Sequence, residues 1–196
     1  RSFGMQDKAR GVPMAPDSVF RIYSMTKPIV SVGALLLVEE GKLALNEPVA
    51  KYIPEFKDMR VGVERHDPGT GVRTYYEVKA ARQITVQDLL RHTSGLVYGG
   101  LGARTAVRDL YKQAGIGSLD DMYKETGDSQ TKWTNATFAA AVARLPLQHE
   151  PGTTWEYGHS TDVLGRVVEV ASGQSLDVFL SERLLRPLGM NDTGFS

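Results

Sequence analysis

The stretch "FRIYSMTKPIVSV", Phe20 to Val32, sets a serine, a lysine three residues on and then a proline at the mouth of the most apolar run of the chain. A serine hydroxyl has too high a pKa to attack a carbonyl at neutral pH unless a neighbouring base takes its proton. If Ser24 opens a helix, Lys27 lies on the same face within reach of that hydroxyl. The helix start also offers unpaired N–H groups and a positive dipole end where negative charge would develop. Burial against the apolar run is expected to lower the lysine pKa toward neutrality, as a general base requires. Pro28 falls in the first turn, where its missing N–H costs little. On spacing alone, a capping serine beside a lysine laid along apolar surface is the commoner reason for such a pair. "SQTK", Ser129 to Lys132, makes the point: it repeats the spacing in the polar stretch "ETGDSQTKW" with no apolar helix behind it, and it is rejected as a site.

The elements that must position these groups are mostly helical. From Met25 to Glu40 helix formers carry apolar side chains on nearly every face, which predicts a helix buried all round, and Gly41 stands where a C-terminal cap belongs. Before it, residues 1 to 23 read as an edge strand or hairpin remnant followed by a loop ("RGVPMAPDS"). "LNEPVAKYIPEF" reads as a packed loop with short helical turns, and "DPGTG" between two alternating runs predicts a surface hairpin within 57 to 82. Thr85 and Asp88 form a capping box for a helix ending near "RHTSG", where Gly95 can turn left-handed. Further helices are expected at 106–113, at Asn135 to Leu145 before Pro146, at Ser160 to Ser172 before Gly173, and at Ser175 to Leu185 before Pro187.

The context of Ser24 resembles the nucleophile region of the serine β-lactamase superfamily, in particular class C β-lactamases and family VIII carboxylesterases. The blocks that carry the likeness come in the right order: "FRIYSMTKPIVSVGALLLVEEGKLALNEPVAKYIPEF", "ITVQDLLRHTSGL", "PGTTWEYGHSTDVLGRVVEVASG" and "FLSERLLRPLGMNDTGF". The resemblance implies an α+β, transpeptidase-like fold, of which this chain would hold the nucleophile helix and most of the helical subdomain but little of the antiparallel sheet. On that reading residues 1–44 are the edge of the sheet domain with the nucleophile helix, and 45–196 the mostly helical subdomain.

The resemblance also implies roles. Ser24 would be the acylated nucleophile, Lys27 its partner, and Tyr157 of "YGH" the second base, matching the family's Tyr-x-Asn motif. A phenol of pKa about 10 can serve at pH 7 only if a cation stabilises the phenolate, and Lys27 would do so. His159 replaces the motif's asparagine and is expected to donate a hydrogen bond to a substrate carbonyl. The family's third motif, Lys-Thr-Gly or a His/Trp-x-Gly variant on a strand, has no match after Tyr157, and "DTG" at 192 to 194 lacks its first residue. That strand would supply one oxyanion donor and the amide of Ser24 the other.

The implied activity is acyl transfer through Ser24, with a carboxylesterase on short-chain esters first, a β-lactamase or D-alanyl-D-alanine peptidase second, and a catalytically silent scaffold as the alternative of another class. The expected partner is a small ester or amide, with a further segment or second chain supplying the rest of the fold. No cofactor is expected, and no metal spacing such as H-E-x-x-H appears. A Ser94–His92 pair is rejected because no G-x-S-x-G elbow exists, and His66 and His149 are expected to face solvent.

Bulk composition limits the alternatives. With 23 basic and 23 acidic residues in 196, the chain has no net charge to recruit nucleic acid. It has no cysteine, which removes disulfides and thiolate chemistry without choosing a compartment. Pro28 to Val38 is too short to span a membrane. "RSFGMQDKARG" has no signal-like apolar core and no initial methionine, so the start reads as trimmed or internal; a cytoplasmic location is expected, with the periplasm left open.

Overall fold

The computed structural model describes residues 1–116 and 133–195, so the Ser129–Lys132 repeat of the spacing lies outside the described residues. Strands β1 (Met5–Asp7) and β2 (Val12–Pro13) pair as the expected hairpin. A 3-10 turn, Tyr23–Met25, then leads directly into helix α1, Thr26–Glu39. Ser24 therefore sits in the turn rather than in the helix, one residue before its cap at Met25. Pro28 occupies the first helical turn, where no intrahelical N–H is lost. The helix closes as the sequence indicates: Gly41 adopts φ 70°, its N–H donates to Val38 O at 3.0 Å and the Lys42 N–H to Leu37 O at 2.9 Å, the paired bonds of a Schellman end.

Burial of α1 is one-sided, which corrects the expectation of a helix covered all round. Val30, Gly33, Ala34 and Leu37 are buried, whereas Val32 and Leu35 are 41% and 47% exposed. The covered side packs so closely that a Cβ at Gly33 would stand 2.6 Å from Leu180 Cδ2. A side chain there would require Leu180 to shift.

Strands β3 (Arg60–His66) and β4 (Arg73–Lys79) form the second hairpin, in antiparallel register from Arg60↔Lys79 to His66↔Arg73. Asp67 Oδ1 accepts from the Gly69 and Thr70 N–H groups at 2.8 and 3.1 Å and holds the turn. Helix α2 (Val86–Leu90) starts with the expected Thr85–Asp88 capping box. Arg82 adds a bidentate contact to the buried Asp88 at 2.6 and 2.9 Å, and Thr93 Oγ1 donates to it at 3.1 Å. Burial pushes the Asp88 carboxyl up, but Arg82 and Thr85 pull harder and bring it down to about 2 from an ordinary 3.8. A carboxylate held below its unfolded value stabilises the fold above that value, and this contribution is lost as pH falls toward about 2.

Helix α3 spans Ala106–Gln113, α4 Asn135–Val142, α5 Ser160–Ser172 and α6 Leu176–Leu180. α4 ends three residues before the expected Leu145, because Arg144 and Leu145 donate to Ala141 O and Val142 O and the chain tightens into a 3-10 turn ahead of Pro146. The helix expected over Ser175 to Leu185 divides into α6 and a π-helical turn at Ser181–Leu185. Gly173 terminates α5 at φ 72°, as its position implies. The core joins the inner faces of α1, α5 and α6 through Leu37, Leu164 and Phe179 and continues to Phe56, Ile84 and Leu89 under the loops. The sheets described are both two-stranded, and among the described residues no strand follows Tyr157.

Candidate active site

The turn that presents Ser24 is unusual before any neighbour is considered. Tyr23 takes φ 44°, a conformation that costs a bulky side chain energy and recurs where a functional group must be aimed. Nothing in the stretch "FRIYS" signals it. Ser24 is thereby exposed, with Lys27 one turn further along donating from Nζ to Ser24 Oγ at 3.3 Å. Tyr157, 133 residues away in sequence, donates from its hydroxyl to the same oxygen at 2.6 Å. Lys27 Nζ lies 4.6 Å from the centre of the Tyr157 ring, so the three side chains expected to act together converge.

The loop that delivers Tyr157 is seated by Gly158. A Cβ there would fall 2.3 Å from Leu96 O and 2.6 Å from Val97 Cα, so the "YGH" segment can lie against the 96–97 backbone only without a side chain. His92, at φ 55°, stacks on the Tyr157 ring with centroids 5.2 Å apart and planes at 28°, and Trp155 stacks near it at 6.4 Å. Tyr98 meets Tyr157 edge-on at 5.6 Å, and its ring centre is 5.7 Å from Lys27 Nζ. Neither Tyr98 nor the stacking role of His92 is foreshadowed by the motifs. "LVYGG" lies just beyond the "ITVQDLLRHTSGL" block and carries no chemistry by itself.

Electrostatics in this cluster reverse one expectation. Burial pulls the Lys27 amine down, but the Tyr157 and Tyr98 oxygens beside it outweigh that effect, and its pKa lies above the ordinary 10.5. The lysine is therefore an ammonium at neutral pH and not the neutral base that desolvation alone suggested. Tyr157 moves the opposite way: burial raises it, yet its contacts with Lys27 and Ser24, which favour the ionised oxygen, hold it below the ordinary 10.0. Cation and incipient phenolate support one another. His92 is kept below its usual value by burial and by the Lys27 charge.

His159 is 5% exposed and lines, with Ser24, Lys27, Tyr98 and Phe138, a cavity of about 400 Å³. Its Nδ1 lies 3.0 Å from Asp162 Oδ2, and Nε2 is buried without a partner. A carboxylate can only accept, so Nδ1 carries the proton and Nε2 of the neutral ring is a lone pair. The expected donor to a substrate carbonyl is thus an acceptor unless the ring is charged. Val30 and Leu176 give the cavity an apolar side. His66 is exposed, on β3 rather than in a loop, whereas His149 is only partly exposed and lies 3.4 Å from Glu156, a departure from the expected solvent-facing position. Ser94 makes no pair with His92: its Oγ is 2.8 Å from Ser160 Oγ. Among the described residues no cluster of three His, Asp or Glu side chains is placed to hold a metal, and no helix is long and apolar enough to cross a membrane.

A sequence model of the family described as Beta-lactamase matches residues 1–196. The chain belongs to the beta-lactamase family. Among its relatives, Protein Rv1367c of Mycobacterium tuberculosis is 39% identical over 98% of the chain and 43% of the relative. Esterase EstB of Burkholderia gladioli is 35% identical over 100% of the chain and 43% of its own length. Of solved structures, EstCE1, described as a hydrolase with promiscuous acyltransferase activity, superposes with a TM-score of 0.70 at 27% identity, covering 95% of this chain and 42% of that one. The chain therefore spans well under half the length of these relatives. Its fold is the beta-lactamase or transpeptidase-like one.

Proposed function

We propose that the protein is a serine hydrolase that cleaves short-chain carboxylic esters through an acyl-enzyme on Ser24. The observation that carries this reading is the meeting of Tyr157 and Lys27 on one exposed hydroxyl, at 2.6 and 3.3 Å. As phenolate, Tyr157 takes the Ser24 proton while Oγ bonds to the ester carbon. On collapse of the tetrahedral adduct the same phenol protonates the departing alkoxide. A water then gives its proton to Tyr157, attacks the acyl carbon and releases the acid, and the proton returns to Ser24. Lys27 remains an ammonium throughout and stabilises the phenolate. A scaffold without chemistry has no use for this alignment.

His159 is the substrate-binding side chain of this reading, facing a cavity of about 400 Å³ whose apolar side suits an acyl group of a few carbons. The name of EstB supports an ester over a β-lactam. The description of EstCE1 favours one variant, in which an alcohol replaces water as acyl acceptor. The second oxyanion donor and the cover for Val32 and Leu35 would come from a further sheet, supplied by more of the same chain or by a second one. The test is a burst of nitrophenol from p-nitrophenyl esters of increasing acyl length, given to the intact protein. A stoichiometric burst with turnover falling beyond medium chains is expected. No nitrophenol release above background at any length would end the hydrolase reading.

A further inference from the structure

A buried guanidinium outside the reacting cluster ties its two phenols together. Arg108, on α3, is 5% exposed. Its Nη1 donates to Tyr98 O at 2.7 Å and also to Leu101 O, and its Nη2 donates to Glu156 Oε1 at 2.7 Å. Gly102 lies against the same group: at φ 89°, a Cβ there would stand 2.9 Å from Nη2. Glu156, immediately before Tyr157, also donates its backbone N–H to His92 O at 2.8 Å. One cation thus fixes the backbone of residue 98 and the side chain of residue 156, while the rings of residues 98 and 157 flank Lys27 from two directions. A buried charge is tolerated only when paired and hydrogen-bonded, and a planar fork is the group that can satisfy two carbonyls and a carboxylate at once.

We infer that Arg108 is a positioning residue of the Ser24 site, holding the Tyr98 and Glu156–Tyr157 loops in the register that puts both phenols against Lys27. The inference rests on the proposed acyl-enzyme chemistry. Tyr157 is faced by Ser24 and Lys27 of α1 and its turn, by His92 after α2, by Tyr98 of the adjoining loop and by the charge of Asp162 on α5. The clamp reaches this cluster through backbone, at Tyr98 O and through the Glu156 N–H on His92 O, and His149 faces the other Glu156 oxygen at 3.4 Å. Loosening it therefore changes the distance to Lys27 without removing a side chain that faces the phenol.

The test compares Arg108→Ala, Arg108→Lys and Glu156→Gln with the parent in the intact protein, rates being divided by the burst amplitude so that misfolded molecules do not count. Misplacement of reacting groups by about 1 Å costs on the order of 10²-fold, so Arg108→Ala should lose about that factor, mainly in kcat. Its acid limb should move to higher pH, lysine should recover little of the loss, and millimolar methylguanidinium should restore part of the alanine variant but not stimulate the parent. If Arg108→Ala does not melt cooperatively, Glu156→Gln carries the test with a smaller kcat loss and the same direction of pH shift. Variants with parental kcat and acid limb per active site would overturn the clamp while leaving the hydrolase reading intact. A parent that never acylates Ser24 would remove both.

Discussion

Two hydroxyl contacts of similar length stand in opposite surroundings in this chain. Tyr157 meets Ser24 at 2.6 Å, and Ser160 meets Ser94 at 2.8 Å, both between residues far apart in sequence. Ser94 is fully buried, its partner is another hydroxyl that does not ionise near neutral pH, and its oxygen also accepts from the Leu96 N–H at 3.2 Å. Ser24 is exposed, its partner is a phenol held below its ordinary pKa, and an ammonium stands within 3.3 Å. The contact distance says nothing about which serine can react. The ionisable partner, the cation behind it and access from outside decide it.

Substitutions separate the two serines experimentally. Ser24→Ala should bring ester turnover to background, a loss of at least about 10⁴-fold in steady-state rate, with the melting temperature nearly unchanged. Tyr157→Phe keeps the ring that stacks on His92 but removes the proton carrier, and should lower kcat by about 10²- to 10⁴-fold. In the parent, activity should rise with pH as Tyr157 ionises below the ordinary 10.0 and fall only above 10.5, where Lys27 loses its proton. Lys27→Met removes the cation that favours the phenolate, so the acid limb of its residual activity should move up toward 10, read from a pH–rate profile of kcat. The smallest effect on rate belongs to Ser94→Ala. Leaving the Ser160 hydroxyl and the Leu96 N–H short of a partner should cost about 1–3 kcal/mol of stability in a denaturant melt, with turnover per active site unchanged.

The groups that meet at the candidate site were legible because they are marked by type and order: a serine and lysine at the head of an apolar run, and a tyrosine in a block that follows at the right place. Capping signals located helix ends well, as Thr85 with Asp88 at the start of α2 and Gly173 at the end of α5 show. Less legible was whatever depends on contacts between elements. The one-sided burial of α1 cannot be read from a segment apolar on every face. The direction of the Lys27 shift is hidden as well, because desolvation is visible in the sequence and two phenols folding onto the amine are not. Arg108 passes for an ordinary surface charge on α3 until Tyr98, Leu101 and Glu156 are brought round it. The one cue was its place between Val107 and Tyr111 on the buried side of that helix.

The central claim is that Ser24 becomes covalently acylated, and a direct measurement of it is mass spectrometry of the intact protein quenched in acid during turnover of a p-nitrophenyl ester, followed by peptide mapping. The account predicts one acyl group per molecule, located on the peptide that contains Ser24 and absent from Ser24→Ala. An adduct on Ser94 or any other residue, or ester turnover that persists in Ser24→Ala, would contradict it.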